Sequence, residues 1–385
     1  MSATQRERLA RLELSLVVEP GDGRLSALLH ELQPSDVLHA VRRESASVPA
    51  VWRERVTASD DRARSVLALG RERGLRWVVP GDREWPAPVD DLAHLSGSGV
   101  GASHDAGGVP VGLWVRGSGR LDELVEQSVA IVGARDCTAY GSELASELAA
   151  DLVDAGVGVV SGAAFGIDAA AHRGALALGG PTLAVLACGA DLDYPRANAA
   201  LLSRIGTDGV VVSEQPPGQV PTKSRFLSRN RLIAALASAT VVVEAAVRSG
   251  SLNTLRWAEA LGRPAMAVPG PVSSQQSSGC HRAIRDGRAV LVTQGREVLA
   301  ELRGPGVLPE PSPGGTSTEF DRLPAPARCV LDALDWDRAR DVSEVSTAAT
   351  VTARETRRAL ELLRRRGLAE CSDEGWLLAR RADLA

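Results

Sequence analysis

Six short apolar runs constrain this chain more than anything else in it: 129–133, 156–161, 182–187, 209–213, 239–244 and 265–268. The first, Val129-Ala130-Ile131-Val132-Gly133, is apolar throughout, with no alternation. That is how a parallel strand covered on both faces reads. Segments with helical spacing separate most of the runs, such as 141–155 and 168–178. The succession predicts an α/β chain built on a doubly wound parallel sheet.

The flanks read differently. Residues 1–75 form a small helical module. Arg8 to Leu14 has helical spacing that Pro20-Gly21 breaks, and Leu25, Leu28, Leu29 and Leu32 mark a second helix. Ser35 is placed to cap a third from Asp36. The core is expected over 76–302, with short strands at 77–81 and 112–117 and a Gly/Ser-rich loop at 96–108. Pro305, Pro309, Pro311 and Pro313 mark 303–320 as a linker. Beyond it, 321–385 reads as helices at 328–334, 341–347 and 352–366, then strands at 367–371 and 376–378. Three helices and a hairpin make a winged-helix pattern.

Composition bounds the function. The 385 residues are 44% hydrophobic, enough for real cores, and carry a net charge of only −4. Nucleic-acid contact must then come from a local patch. Lys223 is the only lysine beside 43 arginines, a bias ascribed to a genome rich in G and C. The five cysteines stand more than 40 residues apart, so no CxxC metal or redox pair exists. With no secretory signal and no apolar run of ~18 residues, a soluble cytoplasmic protein is expected, without membrane contact. His172 and His281 are isolated, so neither a metal nor a cofactor is expected.

Chemistry concentrates where strands end, since an open α/β sheet presents ligands outside the carboxyl ends of its strands. Gly133-Ala134-Arg135 puts a guanidinium fork, suited to phosphate, at one such mouth; an ordinary turn with a solvated Arg fits equally. The full GxGxxG fingerprint is absent, which argues against a nicotinamide cofactor. Ser161 to Asp168 is a second turn, whose Gly162 and Gly166 allow close backbone approach and whose Asp168 reads as a helix cap. The stretch from Lys223 to Arg231 holds four cations, no acid, and Phe226. Cations beside a ring suit single-stranded nucleic acid, where charges track phosphates and a base stacks on the ring. The same pattern fits a helix start whose Arg229 and Arg231 pair with buried carboxylates, Glu244 being a candidate partner. Ser249-Gly250-Ser251 opens a helix at another strand end, a place for a phosphate or for simple capping.

In order, several stretches resemble the DprA/Smf family. They are Gly133-Ala134-Arg135 with Tyr140-Gly141, Ser161 to Asp168, Gly189 to Asn198, Ser213 to Gly218, Phe226 to Ala235, Glu244 to Ser251, Val268 to Pro271, and Gly279-Cys280-His281. Together they cover about 130–290. The resemblance implies a Rossmann-like core that binds single-stranded DNA, protects it as a homodimer and loads the RecA recombinase onto it in natural transformation. It further implies phosphate contacts at Arg135, Arg196 and Lys223, stacking on Phe226, and a dimer surface near His281, Ile284 and Val290. Arg229, Arg231, Gly162 and Gly166 complete the expected strand-binding set. No catalytic residue is expected.

Two other readings compete. A nucleoside-monophosphate phosphoribohydrolase of the LOG type shares this fold and uses a PGGxGTxxE loop. Here Trp257 stands where its catalytic acid belongs. A transcription regulator led by the winged helix needs a basic recognition helix. From Asp321 onward the chain has twelve basic and twelve acidic residues, and Glu355 and Glu361 dilute Arg354, Arg357 and Arg358.

Overall fold

The structure is a computed structural model that describes residues 4–43, 48–56, 61–95, 107–304 and 322–379. The chain divides into two compact units, Met1–Leu308 and Pro309–Ala385. The predicted linker at 303–320, apart from Arg303 and Gly304 at the end of a helix, and most of the loop at 96–108 lie outside the described residues.

In the larger unit, five helices come first: α1 (Gln5–Val17), α2 (Gly23–Glu31), α3 (Pro34–Arg42), α4 (Ala50–Arg55) and α5 (Asp61–Glu72). Pro34 opens α3, so Ser35 lies inside the helix instead of capping it. Proline's fixed φ and missing N–H suit the first helical position. One face of this helical set closes a core of its own around Leu14, Val37, Val41 and Trp52. The other packs Leu12 and Ala63 against Trp77, Trp114 and the sheet, so the helices are part of the larger unit.

The sheet strands are β1 (Leu75–Val78), β2 (Leu113–Arg116), β3 (Ser128–Val132), β4 (Gly158–Ser161), β5 (Thr182–Leu186), β6 (Val210–Ser213), β7 (Ala239–Val242), β8 (Ala265–Ala267) and β9 (Val290–Leu291). Their order is β1-β2-β6-β5-β4-β3-β7-β8-β9. From β6 to β9 every pairing is parallel, and the six apolar runs supply β3 to β8. The two strands that precede the first βα unit, β1 and β2, add antiparallel at one edge. Helices α6 (Leu121–Glu126), α7 (Ala139–Asp154), α8 (Ile167–Ala177), α9 (Ala199–Asp208), α10 (Lys223–Ala235), α11 (Ser251–Ala260), α12 (Ser278–Arg285) and α13 (Gly295–Arg303) flank the sheet. They bury one apolar layer on each face, around Val160, Val185 and Leu232 on one side and Ile131, Leu148 and Val241 on the other.

The smaller unit holds α14 (Ala325–Asp332), α15 (Val342–Ala349), α16 (Ala353–Arg365) and the antiparallel hairpin β10 (Ala369–Ser372) and β11 (Gly375–Leu378). Capping boxes start α15 at Asp341 and α16 at Thr352. Its core, around Val330, Val345, Leu360 and Leu363, draws only on its own residues. Among the described residues no helix is long and apolar enough to cross a membrane. Nor does any cluster of His, Cys, Asp or Glu among them suit a metal ion.

Candidate nucleic-acid interface

Strand order reverses between β3 and β7, and a crevice opens there at the carboxyl ends. The Ala134 amide donates to the Glu244 carbonyl across that point at 2.7 Å. Above it lies an open cleft of about 750 Å³. Four cations line it, Arg135, Lys223, Arg229 and Arg248, against two carboxylates, Asp136 and Asp168.

Several carboxylates near this edge are engaged within the protein, while Asp136 stands exposed in the cleft lining. Glu244 accepts from the Thr138 amide at 2.8 Å and the Thr138 hydroxyl at 2.6 Å, with no arginine involved. Asp168 is buried, and it does not cap α8, since Gly166 holds that position. Its carboxylate instead accepts from the amides of Gly162 at 3.1 Å and Ala164 at 3.4 Å. Burial raises its pKa, countered by the Arg229 charge and these amides. Asp191 pairs with Arg73 and accepts from the Gly218 amide, while Asp193 pairs with Arg116 at 3.0 Å. With these acids paired, the exposed charges lining the cleft are three cations, Arg135, Lys223 and Arg248, against one acid, Asp136, although the whole chain is slightly acidic.

The basic stretch divides along α10. Thr222 caps the helix and aims its first turn at the cleft. Lys223 is exposed there, and Phe226 one turn on is half-buried. The Arg135 guanidinium lies over the Phe226 ring at 4.7 Å. Among the described residues Arg135, Arg196, Lys223 and Arg248 have no ion-pair partner, and all four are exposed. Arg196 sits outside the cleft lining, on the loop after β5, two residues from Tyr194, whose ring is 6.0 Å from Phe226.

Arg231 requires correction, because it belongs to the core, whereas Arg229 is buried but still lines the cleft. Arg231 is fully buried, with a bidentate pair to Glu214 at 2.8 Å and a bond to the Gly108 carbonyl. Arg229 is 7% exposed and donates to the Val185 carbonyl beneath the cleft floor; burial pulls its pKa down to about 10. The fourth cation, Arg225, is held by Glu19 and Gln219. Gly162 and Gly166 also serve the scaffold. A Cβ on Gly162 would overlap the Arg229 guanidinium. Gly166 has φ +75°, and a Cβ there would meet the Ala134 and Arg135 carbonyls. The glycines thus let the second turn close against the first.

Of the proposed dimer residues, His281 is half-buried, and its Nε2 lies 2.9 Å from the Gly270 carbonyl. Ile284 packs against the core. Val290 is 46% exposed on β9, the last strand of the sheet. Sequence reasoning missed Arg248 as part of the cleft, Phe165 as an exposed ring, and Asn198 as a latch whose amide donates to the Ala163 carbonyl at 3.0 Å.

Fold and cleft together define a Rossmann-like α/β protein with a cationic, ring-bearing mouth at its switch point. A profile described as DNA recombination-mediator protein A matches residues 77–303. The chain belongs to the DprA/Smf family of DNA processing proteins. It is 43% identical to a putative DNA processing protein DprA of Mycobacterium tuberculosis over 370 residues, 95% of this chain and 93% of that one. It is similar to the X-ray structure of DprA from Streptococcus pneumoniae, with a TM-score of 0.62 and 32% identity over 78% of this chain and 99% of the other. DprA from Helicobacter pylori, whose structure concerns its single-stranded DNA binding mode, matches with a TM-score of 0.50 and 25% identity over 60% of this chain and 97% of that one.

Proposed function

We propose that this chain binds single-stranded DNA along the carboxyl edge of its sheet, protects it as a homodimer, and passes it to the RecA recombinase in the cytoplasm. One observation carries the reading: unpaired Arg135 and Lys223 line the cleft with a half-buried Phe226, and unpaired Arg196 stands on the neighbouring loop whose Tyr194 ring lies 6.0 Å from Phe226. Unpaired cations neutralise phosphates without first breaking an internal ion pair, and a ring offers a base its face. The Helicobacter pylori relative, described by its single-stranded DNA binding mode, supports this. RecA loading rests on the family resemblance. The dimer contact is proposed at His281, Ile284 and Val290, on the β9 side of the sheet.

The proposed activity is binding without bond-breaking. At the position where a LOG-type hydrolase needs its acid, Trp257 is buried in the core, 1% exposed. The smaller unit is proposed as a winged helix whose partner is a protein as readily as a nucleic acid, given its balanced charge.

The test is binding of a labelled poly-dT strand, and of duplex of equal length, by wild type and an Arg135→Ala/Lys223→Ala variant. Salt-sensitive, strand-selective binding that collapses in the variant is expected. Full binding by the variant, or no preference for the strand, would move the function to the smaller unit or to a small ligand of the cleft.

A further inference from the structure

The chain has three Phe and two Tyr. Four of the five follow four neighbouring strands at the same sheet edge: Tyr140 after β3, Phe165 after β4, Tyr194 after β5 and Phe226 after β6. Phe320, the fifth, lies outside the described residues. The tryptophans of this unit do the opposite. Trp52, Trp77, Trp85, Trp114 and Trp257 are all at most 8% exposed. Among the described residues of the larger unit, the only aromatic rings over 40% exposed are Tyr140, Phe165 and Tyr194. Leaving large apolar rings in water forgoes the stabilisation that burial brings, so a confined group of them marks a contact surface.

Tyr140 is occupied, since its hydroxyl donates to the Pro269 carbonyl at 2.9 Å. The other two are tied to the cationic mouth. Asn198 bonds the carbonyls of Ala163 and Ala164, which joins the Phe165 turn to the loop carrying Tyr194 and Arg196. Gly166, next to Phe165, rests on the backbone of Arg135. The Tyr194 ring is tilted 43° to that of Phe226 at 6.0 Å, and Arg135 covers Phe226. Rings and unpaired cations therefore interleave along one continuous edge.

We infer that Phe165 and Tyr194 are base-stacking residues that extend the Phe226 site into a track for at least three successive nucleotides of a single strand. This deepens the proposed single-strand reading and rests on it. Each ring takes the face of one base, and Arg135 and Arg196 take the phosphates between them. Stacking of this kind tolerates any base but requires a base to be present.

The test measures affinity for a dT strand and for a strand of equal length with abasic sites in place of the thymines. The proteins are full-length wild type, Phe165→Ala, Phe165→Leu, Tyr194→Ala and Tyr194→Phe. Loss of one stacked base weakens dT binding roughly five- to hundredfold. That loss is expected for Phe165→Ala, Phe165→Leu and Tyr194→Ala, with an unchanged salt slope and unchanged binding of the abasic strand. Tyr194→Phe should bind like wild type. Both side chains are exposed, so the unfolding midpoints should match wild type. Salt-sensitive binding of dT that is as tight in Phe165→Ala and Tyr194→Ala as in wild type overturns the track alone. Absence of strand binding by wild type removes the underlying reading as well.

Discussion

Arg231 shows what a sequence withholds at the scale of one residue. Lys223, Arg225, Arg229 and Arg231 look alike on the page, yet only Lys223 faces solvent without a partner among the described residues. The sequence left open that Arg229 and Arg231 pair with buried carboxylates, with Glu244 as a candidate, but their partners come from β5, the loop before Val111 and the segment after β6. Only the folded sheet brings those together. Arg231 leads to a firm prediction. It is fully buried against Glu214, itself 7% exposed, and burial pushes the Glu214 pKa up while Arg231 opposes the shift. Removing one partner of such a pair strands the other charge in the core, which costs about 3–5 kcal/mol. Arg231→Leu should therefore lower the main urea transition by that amount, and Arg231→Leu/Glu214→Leu should recover much of it. A single variant with wild-type stability would show that Glu214 finds another partner or loses its charge at little cost.

Secondary-structure elements were the most legible level. The six apolar runs became β3 to β8 because a strand buried on both faces needs nothing but apolar side chains. The antiparallel edge was not legible, since β1 and β2 carry no signal of direction and each pairs across a long interval of sequence. The structure gathers the turns at one sheet edge, but their glycines, which the sequence assigned to the ligand, serve the scaffold. Their contacts are internal. Gly166 holds φ +75° with its backbone against Ala134 and Arg135. Gly166→Ala should then cost about 1–3 kcal/mol from backbone strain. It should also weaken DNA binding, because the added methyl pushes on the backbone that aims Arg135. Affinity measured well below the unfolding midpoint separates the two effects. Wild-type affinity in a destabilised Gly166→Ala would place the turn in folding alone.

At the scale of the whole molecule, net charge says little about where charge is exposed, and internal pairing says more. A total of −4 coexists with a mouth of net positive charge because several acids near it are spent on Arg73, Arg116, Arg231 and backbone amides, leaving Asp136 as the exposed acid of the cleft lining. The smaller unit has no comparable bias, with twelve basic and twelve acidic residues from Asp321 to the end. Among the described residues each unit builds its apolar cores from its own side chains, so a chain ending at Gly304 keeps every core residue of the larger unit. Each phosphate neutralised on a single strand adds roughly −0.7 to the slope of log affinity against log salt. Contacts from Arg135, Arg196 and Lys223 together then give a slope of about −2 per protomer. A chain of residues 1–304 should keep that slope and bind a dT strand within about twofold of full length, a free-energy change of only about 0.4 kcal/mol. A shallower slope with weaker binding would mean that arginines of the smaller unit also hold phosphates. An unchanged slope with unchanged affinity leaves that unit free for a partner other than the strand, and assigns the DNA contact to the sheet edge.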